Sequence, residues 1–279
     1  MPDHLRTADG GVCATDFAEI GRRVAGVAGI RLGVGKEGLV RSRLTRRMRE
    51  IGVATFAEYV ARVRDDVTGR EQAEMIDLLT TNKTEFFREP AHFGVLRDTV
   101  FPAFDGAAGG VRVWSAGCAT GEEAYTLAMV LRGAVADAGP RGSCAVAPRV
   151  LATDLSRRAL AAAVRGVYAA SRVAGIPPAL LREHFMLVAD GAWVAAPGMR
   201  AMVRFAQLNL MDTWPMRGPF HAIFCRNVMI YFDKPTQERL VSRFHGLLAP
   251  GGYLFVGHAE SLSAIAHDFG YVRPAVYRK

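Results

Sequence analysis

The sequence lacks several features that would point to a membrane, secreted or metal-dependent protein. It has no run of about 18 apolar residues that could cross a bilayer. Its first residues, MPDHLRTADGG, lack the charged-then-apolar order of a signal peptide. The four cysteines, at positions 13, 118, 144 and 225, form no CxxC pair, and the seven histidines show no spacing such as H-E-x-x-H. We therefore expect a cytoplasmic protein with no membrane insertion, no disulfide framework and no metal site.

The familiar phosphate-binding motifs are also missing. The stretch VWSAGCATGEEAYTLAM starts like a buried strand, turns through Gly117 and Gly121, and continues as a helix, but it does not spell G-x-G-x-x-G. No lysine follows Gly121 as a triphosphate loop requires. Glu122 and Glu123 lie where a pyrophosphate would need bare helix N–H groups. S-adenosylmethionine, which has no phosphate and carries a sulfonium and an ammonium group, is compatible with these acids; alternatively, they only complement the helix dipole.

The chain has 279 residues, half of them hydrophobic, which is enough for one large domain or one domain with a small companion. Its formal charge of +8 suggests an acidic partner. Up to about Asn82, apolar residues recur at helical spacing, and the most charged segment is RSRLTRRMREIG. On a helix, this segment groups Arg43, Arg46 and Arg47 on one flank.

After Pro90, short apolar runs alternate with helical stretches, which predicts a mostly parallel sheet with helices on both faces. Residues 167–202 break this rhythm and contain a hairpin-like segment with an Asp-Gly turn, so we expect a small inserted subdomain. The second predicted strand ends at Asp154, where a carboxylate can bind ribose hydroxyls. Alternatively, Asp154 or Ser156 caps the following helix.

Four stretches together resemble the chemotaxis receptor glutamate methyltransferase family (CheR-type): LLTTNKTEFFREPAHF, WSAGCATGEEAYTLAM, ATDLSRRALAAAVRGVY and FHAIFCRNVMIYFDKPTQERLVSRFHGLLAPGGYLFVGHAESL. The resemblance implies an α/β fold: an all-α N-terminal domain over residues 10–80 and a Rossmann-like S-adenosylmethionine-dependent methyltransferase domain over residues 81–279. A small β-subdomain would be inserted at residues 167–202. The implied reaction methylates glutamate side chains of chemoreceptors, giving glutamyl methyl esters and S-adenosylhomocysteine.

The same resemblance implies the site residues. Those expected to bind the cofactor are Asn82, Thr84, Arg88, Ala116, Gly117, Glu123, Asp154, Asn209, Leu210, Arg226, Asn227 and Val228. Glu122 fits the acidic contact as well as Glu123 does. Arg88 and Tyr231 are expected to orient the reacting groups as catalytic residues. Arg43, Arg46 and Arg47 are expected to bind the acidic receptor helices, and the insert is expected to bind a receptor C-terminal peptide.

The expected reaction needs no general base, because a glutamate side chain with a reference pKa of about 4.3 is already ionised at neutral pH. A nucleic-acid methyltransferase is disfavoured because CRNVMIY lacks the proline pair of N-P-P-F or D-P-P-Y motifs, so we expect no nucleic-acid partner. Two alternatives stay open: a carboxyl methyltransferase of a non-chemotaxis signalling protein, and a non-catalytic regulator that binds S-adenosylmethionine.

Overall fold

The computed structural model describes residues 12–107, 109–139 and 147–279. The chain divides into two compact units, residues up to Thr81 and residues Asn82–Lys279. Within the described ranges, no helix has the length and apolar character needed to span a bilayer.

All regular secondary structure in the described part of the first unit is helical, as the periodicity predicts. Its helices are α1 (Ala14–Ala28), α2 (Glu37–Glu50), α3 (Phe56–Asp65) and α4 (Arg70–Leu79). Helix α2 buries Val40, Leu44 and Met48 on one stripe, the i, i+4, i+8 pattern of an amphipathic helix. Helix α3 begins with a capping box in which Thr55 and Glu58 each bond the other's backbone N–H.

The second unit contains the strands and the remaining helices. Its strands are β1 (Arg112–Ala116), β2 (Arg149–Asp154), β3 (Val167–Tyr168), β4 (Phe185–Leu187), β5 (Trp193–Ala195), β6 (Val203–Gln207), β7 (Phe220–Cys225), β8 (Leu248–Val256), β9 (Gly270–Arg273) and β10 (Val276–Arg278). Its helices are α5 (Ala91–Val95), α6 (Phe101–Phe104), α7 (Glu122–Ala138), α8 (Arg157–Arg165), α9 (Ala170–Val173), α10 (Pro178–His184), α11 (Pro197–Met202) and α12 (Lys234–Leu247). A π-helical turn, Leu96–Val100, joins α5 to α6.

The main sheet has the strand order β6-β2-β1-β7-β8-β10-β9. The strands from β6 to β8 pair in parallel, whereas β10 pairs antiparallel with both β8 and β9. Strands β2 and β6 lie on one side of β1, and β7 and β8 lie on the other side. The direction in which strands are added therefore reverses at the β1/β7 boundary. In open α/β sheets, ligands bind outside the carboxyl ends of the strands at such a reversal.

The predicted insertion is confirmed as a separate three-stranded antiparallel sheet of order β3-β5-β4, which follows α8. Its hairpin pairs Met186 with Val194. Asp190 and Gly191 form the turn with φ values of 68° and 71°, the conformation that an Asp-Gly pair adopts readily. The Rossmann-like fold with an all-α N-terminal part and an inserted β-subdomain is therefore confirmed.

The core of the second unit lies on the central strands. Trp114 is fully buried, and its indole N–H donates to the Thr153 hydroxyl at 2.9 Å. On the sheet, Phe224 stacks on Phe255 with ring centroids 4.1 Å apart, and Phe93 of α5 stacks on Phe224. This packed layer lies on β1, β2, β7 and β8, and the carboxyl ends of β1 and β7 carry the candidate site.

Candidate active site

Two turns meet at the reversal point of the sheet. Gly117 follows β1 with φ of 97°, and a Cβ at this position would collide with the Val228 Cγ2 atom that follows β7. Ala116 is buried at the end of β1. The close contact between the two turns and the positive φ together require a glycine at position 117.

The segment Gly117–Gly121, which we call the cofactor turn, is anchored to the end of β2. The Thr153 carbonyl accepts from the N–H groups of Gly117 and Cys118 at 2.8 and 2.9 Å. The Asp154 carboxylate accepts from Ala119 N at 2.8 Å and from Ser156 N at 2.8 Å. Asp154 thus holds the turn in place, and its role in binding adenosine stays a prediction.

The helix after Asp154 is capped by Ser156, whose hydroxyl accepts from Ala159 N at 3.0 Å. Of the two caps that the sequence left open, Ser156 is therefore the one whose side chain bonds the first helical turn. Asp154 supports that cap through the Ser156 N–H but does not replace it.

The structure separates the two acids that begin α7. Glu122 is fully buried and accepts from Thr120 Oγ1 at 2.7 Å and from the Arg172 guanidinium of the insert. Glu123 faces the β1/β7 boundary, where Ser115 Oγ donates to it at 2.7 Å. Burial raises the pKa of Glu123, against the opposing attraction of Arg226. The geometry favours Glu123 as the acid nearer to the crevice.

Arg226 links three segments that are far apart in the sequence. Its guanidinium, 2% exposed, lies 2.9 Å from Glu123 Oε2 and 3.0 Å from Glu89 Oε2, and it also donates to the Arg88 carbonyl oxygen. The same group lies over the Phe93 ring, 5.4 Å from its centroid. Burial acts to raise the pKa of Glu89, but the attraction of Arg226 holds it below the usual value. Arg226 therefore positions its neighbours.

Three of the predicted cofactor residues, Asn82, Thr84 and Arg88, lie on an irregular segment whose Arg88 carbonyl oxygen accepts from Arg226. Asn82, Thr84 and Arg88 are all partly buried, and the Arg88 guanidinium donates to the Lys83 carbonyl at 3.1 Å. Phe87 has φ of 55°, a left-handed conformation that is uncommon for a residue with a bulky side chain. Such strained backbone persists where surrounding contacts hold it, and it clusters at functional sites.

The turn after β7 depends on Glu260, which is not among the site residues that the sequence predicts. The Glu260 carboxylate accepts from the backbone N–H groups of Asn227 at 2.7 Å, Ile230 at 3.1 Å and Gly257. Burial raises the pKa of Glu260, while these amides oppose the rise. Asn227 has φ of 59°, and Tyr231 ends the 3₁₀ turn that follows. The segment GHAESL, part of the resemblance, is the signal that could have identified Glu260.

Asn209 and Leu210 follow β6, two strands away from β1 in the sheet. The Asn209 side chain accepts from Met211 N at 3.0 Å and donates to Asp212 Oδ1 at 3.2 Å, the contacts of a turn residue. Leu210 is 8% exposed. A part in adenine binding stays a prediction for this pair.

The three arginines of α2 have different surroundings within the first unit. Arg43 donates to the carbonyl oxygens of Leu79 and Thr80, each at 2.7 Å. Arg47 forms a bidentate pair with the buried Glu71 carboxylate. Arg46 is 86% exposed and pairs with Glu50 of the same helix, 2.9 Å from its Oε1 atom. Receptor binding stays a prediction for all three, and Arg46 is the most accessible of them.

One cluster combines groups that can ligate a metal ion. Polar atoms of Glu89, His92 and His258 lie within 4.8 Å of one another. However, the Glu89 carboxylate already pairs with the Arg226 guanidinium and accepts from the His258 backbone N–H at 3.2 Å. Burial lowers the pKa of His92 to about 4, so this imidazole is neutral at physiological pH.

Comparisons with known proteins cover both units of the chain. The family profile described as "CheR methyltransferase, SAM binding domain" matches residues 82–277, and "CheR methyltransferase, all-alpha domain" matches residues 15–80. The chemotaxis protein methyltransferase of Klebsiella aerogenes is 40% identical over 92% of this chain and 86% of its own. That of Escherichia coli is 37% identical over 94% of this chain and 89% of its own.

Among solved structures, the glycopeptide N-methyltransferase MtfA complexed with sinefungin covers 62% of this chain and 50% of its own, at 14% identity and a TM-score of 0.36. That similarity is too low to support an argument about function. The family profiles and relatives span both units, and on their evidence the chain belongs to the CheR methyltransferase family, whose cofactor is S-adenosylmethionine.

Proposed function

We propose that this chain methylates glutamate side chains of chemoreceptors at the crevice formed by the turns after β1 and β7, giving glutamyl methyl esters. The observation that carries the proposal is that residues from separate stretches of the family pattern meet at this one point. Gly117 packs against Val228, Glu123 pairs with Arg226, and Arg226 reaches the Arg88 carbonyl.

The residues at this point fit S-adenosylmethionine better than a phosphate-bearing nucleotide. At Gly117 the cofactor turn carries no side chain, and Val228 fills the space where a Cβ would lie. A carboxylate, Glu123, lies next to it in buried surroundings and suits a cationic group. Glu123 would hold the cationic end of the cofactor and Asp154 its ribose. The other cofactor contacts would come from the turn residues Ala116 and Gly117 and from the remaining predicted residues: Asn82, Thr84, Arg88, Asn209, Leu210, Arg226, Asn227 and Val228.

The chain's own contribution is orientation and exclusion of water rather than proton transfer. Bound S-adenosylmethionine supplies an electrophilic methyl group, which passes from sulfur to a carboxylate oxygen with loss of both formal charges. The accepting glutamate is ionised at neutral pH, so no side chain of the enzyme has to remove a proton. Arg88 would hold the carboxylate and Tyr231 would align it with the methyl group. Partial exclusion of water favours the transition state, because water stabilises the separated charges more strongly.

We further propose that α2 attracts the acidic helices of the receptor in the cytoplasm. Arg46 is 86% exposed, and Arg41 and Arg49 on the same helix are also exposed. Clustered positive charge raises the encounter rate with an acidic partner.

The insert is the place where we propose that a receptor tail peptide binds. Strand β4 lies at an edge of the small sheet, and its side chains Met186 and Leu187 are 48% and 62% exposed. An extended peptide can add to such an edge through main-chain hydrogen bonds. Leu187→Asp should weaken binding of a receptor-tail peptide, measured by fluorescence anisotropy, and equal binding by this variant would count against the assignment.

The function is tested with purified protein, S-adenosylmethionine carrying a tritiated methyl group, and membranes that contain chemoreceptors. Label on a receptor-sized band that is released by mild alkali identifies a carboxyl methyl ester. Tyr231→Phe should lower kcat by roughly 10- to 100-fold with little change in cofactor affinity, because it misaligns the reacting groups. Tight cofactor binding with no labelled receptor would refute the proposed substrate and favour another signalling protein or a regulatory role.

A further inference from the structure

The insert contacts the cofactor turn directly, in addition to any partner that its edge strand binds. The Tyr168 hydroxyl donates to the Thr120 carbonyl oxygen at 2.9 Å. The Arg172 guanidinium donates to Thr120 Oγ1 at 3.0 Å and to the buried Glu122 carboxylate. The insert is therefore hydrogen-bonded to the backbone and the side chains of the turn.

The atoms around this contact are closely packed, which restricts the backbone conformation of the cofactor turn. Gly121 has φ of 97°, and a Cβ at this position would lie 2.8 Å from the Ala163 Cβ and 3.0 Å from the Tyr168 hydroxyl. On the opposite side, the turn is held by the Thr153 carbonyl and the Asp154 carboxylate. The cofactor turn is thus fixed between the end of β2 and the insert.

The insert also contacts the segment that carries Asn82, Thr84 and Arg88. The Phe86 ring packs edge-on against Tyr168, with centroids 5.0 Å apart, and against Phe185 at 5.5 Å. One side chain, Tyr168, thus touches both sequence segments that are expected to hold the cofactor.

We propose that Tyr168 and Arg172 are positioning residues, which hold the cofactor turn in its binding conformation and so set the affinity for S-adenosylmethionine. The inference deepens the proposed function and rests on its cofactor site. Its readout is cofactor binding, which does not depend on the protein that is methylated. A failure to label receptors would therefore refute the proposed substrate but not this inference. An unchanged cofactor affinity in the variants would refute this inference but not the proposed function.

The test measures the Kd for S-adenosylhomocysteine by titration calorimetry, together with the thermal midpoint of unfolding. Arg172→Ala should raise the Kd by roughly 3- to 30-fold, the range typical of residues that act on a site indirectly. At saturating cofactor, kcat should stay within about twofold of the starting protein, since the effect lies on binding. Arg182→Ala, which removes an exposed arginine of the same insert, is the matched control and should change neither value.

Two further variants separate positioning from a loss of stability. Arg172→Ala leaves the Glu122 carboxylate buried without its cation, which is destabilising. Adding Glu122→Gln removes that charge, so the double variant should recover the thermal midpoint but keep the raised Kd. Tyr168→Phe, which retains the ring, should also raise the Kd. A Kd that returns to the starting value in the double variant, or that never changes in Arg172→Ala and Tyr168→Phe, overturns the proposal.

Discussion

Replacing Arg226 with methionine should destabilise the second unit in a pH-dependent way. The substitution removes a 2% exposed guanidinium and leaves Glu89 and Glu123, whose side chains are each 12% exposed, without their shared cation. Breaking a buried ion pair in this manner costs about 3–5 kcal/mol of unfolding free energy. The loss should lie near the upper end, because two carboxylates and the Arg88 carbonyl lose their partner together.

The pH dependence follows from the pKa of each carboxyl. In the native chain, the pKa of Glu89 is held down, so its contribution to stability is lost as pH falls through that lowered pKa. Without Arg226, burial is opposed mainly by the Ser115 hydroxyl at Glu123 and by His258 at Glu89. We therefore expect the pKa of Glu89 to rise above the ordinary glutamate value of 4.5 and the pKa of Glu123, which is already raised, to rise further. The variant then loses stability as pH rises through the raised values, so its deficit should be larger at about pH 8 than at about pH 5.

The measurement is urea unfolding of both proteins at the two pH values, followed by tryptophan fluorescence. The chain has three tryptophans, and all of them lie in the second unit, so the signal reports that unit alone. Arg204→Met, which removes an exposed arginine of β6, is the control and should change the unfolding free energy by no more than about 0.5 kcal/mol. A deficit below roughly 1 kcal/mol at both pH values would refute the positioning role of Arg226.

Three further predictions concern separate parts of the chain. Gly117→Ala places a methyl group against Val228 at φ of 97°, so it should cost about 1–3 kcal/mol of stability and weaken S-adenosylhomocysteine binding at least ~10-fold; Val228→Ala in the same chain should restore part of the affinity, and an unchanged Kd in Gly117→Ala would contradict the close approach. Burial lowers the pKa of His92 from 6.5 to about 4, so the stability that the neutral imidazole contributes is complete above pH 6.5 and is lost as pH falls from 6.5 to about 4. His92→Phe should therefore reduce the loss of unfolding free energy over this pH range, and an equal loss in the variant and the starting protein would exclude His92 as its cause. Arg46→Glu should raise the KM for receptor at low salt without changing cofactor affinity, and the effect should fade above about 0.15 M salt; an equal KM at every salt concentration would remove Arg46 from the receptor-binding surface.

Much of the fold is encoded locally and could be read from the sequence. The strand-turn-helix around Gly117 and the insert hairpin at Asp190-Gly191 are examples, because turn chemistry and apolar periodicity act over a few residues. The terminal hairpin of β9 and β10 was not predicted, since all four residues of β9 are exposed and show no alternation. Strand β9 depends on pairing with β10, which in turn pairs with β8, rather than on its own pattern.

The candidate site was predictable as a set of residues but not as an arrangement. Arg226 pairs with Glu123 and Glu89, which are 103 and 137 positions away in the sequence. No local pattern specifies partners at such separations, because the fold brings them together. For the same reason, the sequence left Glu122 and Glu123 as equal candidates, whereas the structure directs Glu122 to Arg172 and Glu123 to the crevice.

Because Cys118 is buried in the cofactor turn, the rate at which its thiol is alkylated reports how often the turn opens. Its thiol is fully buried within the turn, and burial raises its pKa well above the usual value, so an alkylating reagent can reach a reactive thiolate only when the turn opens. The alkylation rate therefore measures how often the turn opens in the absence of ligand. A ligand that binds only the closed turn slows this rate by the factor 1 + [L]/Kd. Occupancy of the crevice could then be followed by mass spectrometry at a single native side chain, without any substrate protein in the sample.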